Sequence, residues 1–360
     1  MSSAETAGDE AQPPAGSLLL AEIREQPQAL RQLLGHEAEI ARVAEAVRRR
    51  GPQVVRFVGH GSSDNAASFG VYAFGLLTRW TALRDSITLT VYYGADLDMS
   101  GSTVIGLSQS GRTPDVVEYV RRARDCGAFT VALTNDAGSD LAGVAEAIVP
   151  LDAAERSVAA TKTYTNQVAA LGLLAAHIAG AGERFGDDLR ATIDRLEETI
   201  ARLERPARDV ALTFAFTGRM FVIGRGVEFG TAREIALKLL ETCRIAAEPL
   251  TATDLAHGPV AALDPLFPVW TIASFDETLP AVLEAAARAR DAGATLVASG
   301  SAASEVAGAA HVLPVPRPAS PLLAPVLSVA PGQLFAWALA RAKGLDPDQP
   351  RGLSKVTMAR

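Results

Sequence analysis

The sequence predicts an α/β protein of two tandem lobes, each a parallel sheet flanked by helices. Two repeats and one alternation predict it. Val54-Val55-Arg56-Phe57-Val58-Gly59-His60-Gly61 is answered about 165 residues later by Met220-Phe221-Val222-Ile223-Gly224-Arg225-Gly226. Each is a β-branched and aromatic run ending in Gly-x-Gly, the pattern of a buried strand feeding a tight turn. Further on, Ala123-Arg124-Asp125-Cys126-Gly127-Ala128 is matched by Ala289-Arg290-Asp291-Ala292-Gly293-Ala294. In both copies a helix ends at the glycine, the usual left-handed cap, and a strand follows. Strand and helix alternate through each half, which implies parallel strands joined by right-handed crossovers.

Residues 1–16 are small, polar and acidic, and read as a disordered tail. They lack the basic start and apolar run of a signal peptide. Residues 17–50 read as N-terminal helices, with Arg48, Arg49 and Arg50 suiting a helix C-terminus. The first lobe spans 51–185, with strands at 54–58, 103–107, 129–133 and 147–151. Residues 161–205 read as two helices. The first contains an Ala/Gly-rich stretch, Val168 to Gly182, too short and too polar for a membrane span. The second sets Leu189, Ile193, Leu196, Ile200 and Leu203 at helical spacing. The second lobe spans 186–340, with strands at 295–298 and 311–316. Residues 341–360 form a C-terminal tail expected to close over the site.

The chain has 360 residues, 48% hydrophobic and 21% charged, enough for a large core, with a net charge of −7. No dense Lys/Arg stripe is present, which argues against a nucleic-acid partner. Cys126 and Cys243 form no CxxC pair and suit a reducing, cytoplasmic compartment. The five histidines are scattered without ligand spacing, so no metal is expected, and no other cofactor is implied.

In such folds ligands gather at the carboxyl ends of the strands, where strand order reverses. Two loops in the first lobe occupy that place. Ser108-Gln109-Ser110-Gly111-Arg112-Thr113 follows one strand and precedes a helix starting near Pro114. Gly59-His60-Gly61-Ser62-Ser63-Asp64-Asn65 does the same. A helix N-terminus offers unpaired N–H groups and partial positive charge to a phosphate, and the hydroxyls add donors. The alternative is that these residues are only helix caps. The second lobe has Gly226-Val227-Glu228-Phe229 and Ser274-Phe275-Asp276-Glu277 at those places, whose carboxylates would repel phosphate. It carries instead Glu234, Lys238 and Glu241 on one helix face, read either as an exposed ion ladder or as acid–base machinery in apolar surroundings. His257-Gly258-Pro259 follows in a loop.

Taken together these motifs resemble the double-SIS-domain sugar-phosphate isomerases, including the isomerase part of glucosamine-6-phosphate synthase and the glutaminase-free glucosamine-6-phosphate deaminases. The resemblance runs from about Leu18 to the end. It rests on Glu22-Ile23-Arg24-Glu25-Gln26-Pro27, the two loops above, Ala159-x-Thr161-Lys162-x-Tyr164-Thr165-x-Gln167, Ala236-Leu237-Lys238-Leu239-Leu240-Glu241, His257-Gly258-Pro259 and Leu353-Ser354-Lys355-Val356-Thr357. It implies two tandem flavodoxin-like SIS lobes. It further implies that Gly61, Ser62, Ser63, Ser108, Gln109, Ser110 and Thr113 hold a sugar 6-phosphate, and that Val158, Ala160 and Ser354 touch the sugar. Glu241 would move a proton between C1 and C2. His257 would act in ring opening from the neighbouring subunit of a homodimer, Lys355 would bind the open-chain sugar or form an imine, and Lys238 would partner Glu241. Three positions depart from the family pattern: Ala160 replaces a serine, Leu240 a charged residue, and Arg112 a glutamate.

The synthases of this family need an N-terminal glutaminase, and here Met1-Ser2-Ser3 leads straight into the isomerase-like region. The expected reaction is therefore deamination of an amino-sugar 6-phosphate to a ketose 6-phosphate. The alternatives are another phosphosugar isomerase or deglycase, an isomerase subunit with a separate glutaminase, and last a non-catalytic sugar-phosphate regulator. No helix-turn-helix segment accompanies that regulator reading.

Overall fold

The computed structural model describes residues 14–52 and 54–355. Most of the N-terminal tail and the Val356-Thr357 part of the C-terminal motif lie outside the described residues. Helices α1 (Ser17–Gly35) and α2 (Glu37–Arg50) lead into the first lobe. There β1 (Val54–Val58), α3 (Ser62–Thr78), β2 (Thr81–Arg84), β3 (Ser102–Leu107), α4 (Pro114–Asp125), β4 (Phe129–Thr134), α5 (Asp140–Val144) and β5 (Ala147–Pro150) alternate. Helices α6 (Lys162–Ile178) and α7 (Gly182–Thr213) cross to the second lobe. It holds β6 (Arg219–Gly224), α8 (Phe229–Cys243), β7 (Ala246–Thr251), β8 (Pro268–Ile272), α9 (Leu279–Asp291), β9 (Thr295–Gly300), β10 (His311–Pro314) and α10 (Ala324–Ala342).

The first sheet runs β2-β1-β3-β4-β5 and the second β7-β6-β8-β9-β10, with every pairing parallel. Numbered within each lobe, both orders are 2-1-3-4-5, the flavodoxin-like arrangement, so the sequence repeat is a repeat of topology. Strand order reverses between β1 and β3, where Val54 pairs Ser102 and Phe57 pairs Ile105. The crevice beyond their carboxyl ends lies there.

Three strands are not named by the sequence reading: β8 (Pro268–Ile272), which is buried throughout, and two edge strands. β2 is a four-residue edge strand whose outer residues are exposed, and β7 carries Pro249. An edge position tolerates proline because one face of its backbone needs no ladder bond. Helix α7 also runs past Arg205 to Thr213 with Pro206 inside it, where the sequence reading stops it at 205.

Both lobes close on one core. A continuous apolar cluster reaches from Leu19 and Leu30 through Phe57, Leu171 and Leu196 to Trp270 and Trp337. α6 and α10 form its inner layer. α10 has the length and apolar composition of a membrane span, yet it is buried within the protein along that window. Trp270 donates to Ser299 Oγ at 2.8 Å, and Trp337 donates to the Gly16 carbonyl at 2.8 Å, so both indoles are satisfied in the core. Across the lobes α3 meets α8 closely. A Cβ on Gly230 would stand 2.7 Å from the Asn65 carbonyl oxygen, so only glycine allows this approach.

Candidate active site

A cavity of about 520 Å³ opens at the β1/β3 switch point. Its first wall is the turn after β1, where Gly61 takes a positive φ of 54° and α3 begins at Ser62. Gly61, Ser62 and Ser63 face the cavity, and Gln167 on α6 donates to Ser63 Oγ at 2.9 Å, which fixes that hydroxyl. The second wall is the loop after β3. Ser108 Oγ and Thr113 Oγ1 lie 3.1 Å apart, and the Gly111 N–H donates to Ser108 Oγ at 3.1 Å. Gly111 has φ +64°, and a Cβ there would overlap Ser139 Oγ at 2.0 Å. The bend that turns Gln109 and Ser110 inward thus depends on glycine. Two helix N-termini, of α3 and α4, border this hydroxyl-lined cavity, an arrangement suited to a dianionic phosphate.

Lobe 2 supplies the opposite wall. Glu241 lines the cavity from the last turn of α8, and Lys238 Nζ lies 2.6 Å from its Oε2 and 3.4 Å from Glu234 Oε1. The face that holds these three is not a solvated ladder, for Glu234 is 0% and Lys238 2% exposed. Glu234 accepts from Ser62 Oγ at 2.9 Å and from Asn65 Nδ2 at 2.8 Å. It therefore stitches the turn that opens α3 to α8. Burial raises the Glu234 carboxyl above its ordinary value, opposed by Lys238 and the Asn65 hydrogen bond. Lys238 is itself raised: burial disfavours its charge, but the two glutamates more than compensate.

The tail closes the third side. Leu353, Ser354 and Lys355 line the cavity, and Lys355 Nζ donates to the Ser157 carbonyl. Val158 and Ala160 come from the loop entering α6, and Thr163 from its first turn. Ala160 presents a methyl group to the cavity. Burial lowers the Lys355 amine below its ordinary value.

Of the candidate site residues named from the sequence, all line this cavity except Glu234 and Lys238, which are buried on α8, and His257. His257 lies exposed on the turn Asp254–His257, away from the cavity of its own chain. Three polar lining residues were missed by sequence reasoning: Thr163, His60 and Asp115. His60 Nε2 lies 2.8 Å from Asp115 Oδ2, joining the β1 turn to the first turn of α4. Read one at a time, both pass as cap residues. The signal was that each sits at the carboxyl end of a neighbouring strand. Among the described residues no group of three or more His, Cys, Asp or Glu could hold a metal ion.

The corresponding place in lobe 2 is nearly filled. Ser274 donates to Glu228 Oε1 at 2.6 Å, Glu228 is 2% exposed, and the adjoining cavity is about 40 Å³. The duplicated lobe keeps the fold and closes the cradle with its own carboxyl.

Comparison with known proteins agrees with this geometry. The SIS domain model matches residues 53–177 and 214–342. The chain is 34% identical over 351 residues to a glutamine–fructose-6-phosphate aminotransferase (isomerizing) of Thermococcus kodakarensis, covering 94% of this chain and 57% of that protein. A Mycobacterium bovis protein of the same name is 33% identical over 361 residues, again 94% of this chain and 57% of its own length. The chain thus spans little more than half the length of these relatives. A Silicibacter pomeroyi structure, provisionally named a phosphosugar isomerase, superposes with TM-score 0.83 at 34% identity, covering 92% of this chain and 99% of that one. The C-terminal domain of a Francisella tularensis glucosamine-fructose-6-phosphate aminotransferase shares the fold, with TM-score 0.86 at 24% identity over 96% of this chain and 100% of that one. On its two SIS matches, its doubled topology and these relatives, the chain belongs to the SIS-domain family.

Proposed function

We propose that this protein is a phosphosugar isomerase that deaminates an amino-sugar 6-phosphate, with glucosamine 6-phosphate as the default substrate, working as a cytoplasmic homodimer. The observation that carries this reading is one cavity with a phosphate cradle on one wall and Glu241, backed by Lys238, on the other. The cradle anchors the 6-phosphate, and each hydrogen bond to that charged group contributes about 1.5–3 kcal/mol. The open-chain sugar then reaches Glu241 with C1 and C2. Glu241 takes the C2 proton and returns it to C1 while a second proton passes from the amine nitrogen to the C1 oxygen, so the C1 carbonyl becomes a hydroxyl and C2 becomes an imine. Water adds to that imine and ammonia leaves, giving the ketose 6-phosphate. Lys238 supplies the positive charge beside the carboxylate. Lys355 lies where an amine would meet the sugar carbonyl.

His257 completes the site from a second copy in this reading. Its exposure on its own chain supports that role. So does the groove beside the Ser62 turn, lined by Gly61, Leu237, Leu240 and Pro249, with Leu240 55% exposed.

The test is ammonia release from glucosamine 6-phosphate by the purified protein, with Glu241→Gln beside it. Release that falls at least about 100-fold in the variant is the expected outcome for loss of an acid–base group. No release refutes the glucosamine reading. The methyl group of Ala160 in the sugar wall favours a second one, an aldose–ketose isomerase or deglycase on another 6-phosphate. Galactosamine, fructose and glycated-amine 6-phosphates test it.

A further inference from the structure

Below the sugar wall lies a pair of buried carboxyl groups that the proposed reaction does not use. Glu22 on α1 is 0% exposed, and Glu155, in the loop before α6, is 9% exposed. Glu22 accepts from the N–H groups of Arg156 at 2.6 Å and Ser157 at 2.9 Å. The same Ser157 offers its carbonyl to Lys355 Nζ. Glu155 accepts from Thr161 N at 3.1 Å, Thr161 Oγ1 at 2.8 Å and Thr163 N at 2.7 Å, and Thr163 lines the cavity. One carboxyl thus fixes the carbonyl that receives Lys355, and the other fixes the turn that opens α6.

The two cations that pair with the carboxyls of this cluster leave Glu155 out. Lys162 is 3.3 Å from Glu22 and 2.7 Å from Glu25, and Arg156 reaches Glu22 at 3.2 Å and Glu25 at 2.8 Å. Among the described residues Glu155 has no ion pair. Two buried carboxylates gripping one short segment, residues 156–163, cannot both ionise cheaply. Burial and the neighbouring Glu22 push Glu155 up to about 7. Burial pushes Glu22 up as well, but the hydrogen bonds from Glu155, Ser157 and Arg156 outweigh it and hold that carboxyl below its ordinary value. Lys355 feels Glu155 and Glu22, which favour its charge, and Lys238 and Lys162, which oppose it.

We propose that Glu22 and Glu155 are positioning residues for Lys355: the pair shares one proton, fixes the carbonyl that holds the lysine, and sets the pH at which its amine becomes uncharged. This deepens the reading of the cavity as a sugar-carbonyl site and rests on it for its purpose. The electrostatic coupling stands apart from it. When the shared proton leaves, one more negative charge faces Lys355 and the amine keeps its own proton to higher pH.

The experiment is competitive acetylation of the intact protein by trace acetic anhydride from pH 6 to 9.5, with each lysine followed by mass spectrometry. It needs no sugar, so a protein that releases no ammonia still answers it. An isolated amine gains reactivity tenfold per pH unit. In wild type, Lys355 is expected to fall at least about threefold below that line as the pair ionises near neutrality. Glu155→Gln, which keeps the shape and removes the ionisation, is expected to restore unit slope at Lys355. A straight Lys355 profile in wild type overturns the proposal, and that result holds even if the variant fails to fold. A bend that persists unchanged in folded Glu155→Gln overturns it equally.

Discussion

Replacing Lys238 with methionine tests whether the ion cluster between the lobes depends on its one cation. Lys238 is 2% exposed and lies between Glu241 at 2.6 Å and Glu234 at 3.4 Å. Methionine fills a similar volume but leaves the fully buried Glu234 with only Ser62 and Asn65 as partners. Breaking a buried pair in this way costs about 3–5 kcal/mol. The two remaining hydrogen bonds place the expected loss near the lower end, about 3 kcal/mol at pH 8. The sign of its pH dependence follows from Glu234. That carboxyl is already raised in the folded protein, and removing the lysine raises it further. The unfolded chain titrates near an ordinary glutamate, about 4.3. Up to the raised wild-type value both proteins lose stability alike, and the penalty accumulates between that value and the still higher one in the variant, by up to about 1.4 kcal/mol per unit. Urea unfolding followed by tryptophan fluorescence, at pH 5.5 and pH 8, should show a smaller loss at pH 5.5 by at least about 1 kcal/mol. The double variant Glu234→Gln with Lys238→Met should recover at least about 1.5 kcal/mol at pH 8, because an amide needs no counter-charge. Equal losses at both pH values, with no recovery in the double variant, would refute the reasoning.

Three further outcomes are expected. Gly111→Ala places a methyl group against Ser139 in a backbone region that disfavours it. It should destabilise the protein by about 2 kcal/mol or more and abolish calorimetric binding of inorganic phosphate; unchanged phosphate affinity would count against the cradle. Tyr119→Phe removes the 2.7 Å hydrogen bond to Asp85, whose carboxyl also accepts from Arg56 at 2.6 Å. Burial pushes Asp85 up, but Tyr119 and Arg56 outweigh it and hold it below its ordinary value. The variant should lose about 1–2 kcal/mol at pH 7, a gap that closes as pH falls below about 4, where the carboxylate's contribution is lost in both proteins; a constant gap would refute it. Cys243 is buried and its thiol is pushed up to about 11, chiefly by burial, while Cys126 is half-buried. Iodoacetamide at pH 8 should label Cys126 and spare Cys243, as read by peptide mass; equal labelling would contradict the packing of α8 against α10.

The repeat was legible because its buried strands are dense in β-branched and aromatic residues and end in Gly-x-Gly. β2 and β7 were not, since an edge strand such as Thr81–Arg84 needs no two-sided apolar run. Helix α7 outran its sequence limit because Pro206 is tolerated once the turns on both sides pack, with Leu203, Ala207 and Val210 buried. At the site, hydroxyl-rich loops declared themselves by their position between strand and helix. The ion cluster declared itself only as a helix face, because burial is a property of what α3 brings against it. The Glu22–Glu155 pair joins residues more than a hundred positions apart, and no local pattern marks a carboxyl that will face another.

The ends of the described chain are fastened to each other. Asp346 accepts from Gly16 N at 3.1 Å, and Asp348 accepts from Leu18 N at 3.0 Å and Leu19 N at 2.8 Å, across a separation of about 330 residues. Two aspartates thereby satisfy the first turn of α1 and complement its dipole. Seven residues later the chain reaches Lys355. Mechanically the protein is a ring with a clasp, and the lysine hangs from the clasp on a short tether. A displacement of the first turn of α1 is thereby passed, through Asp346 and Asp348, to the segment that carries the amine into the cavity.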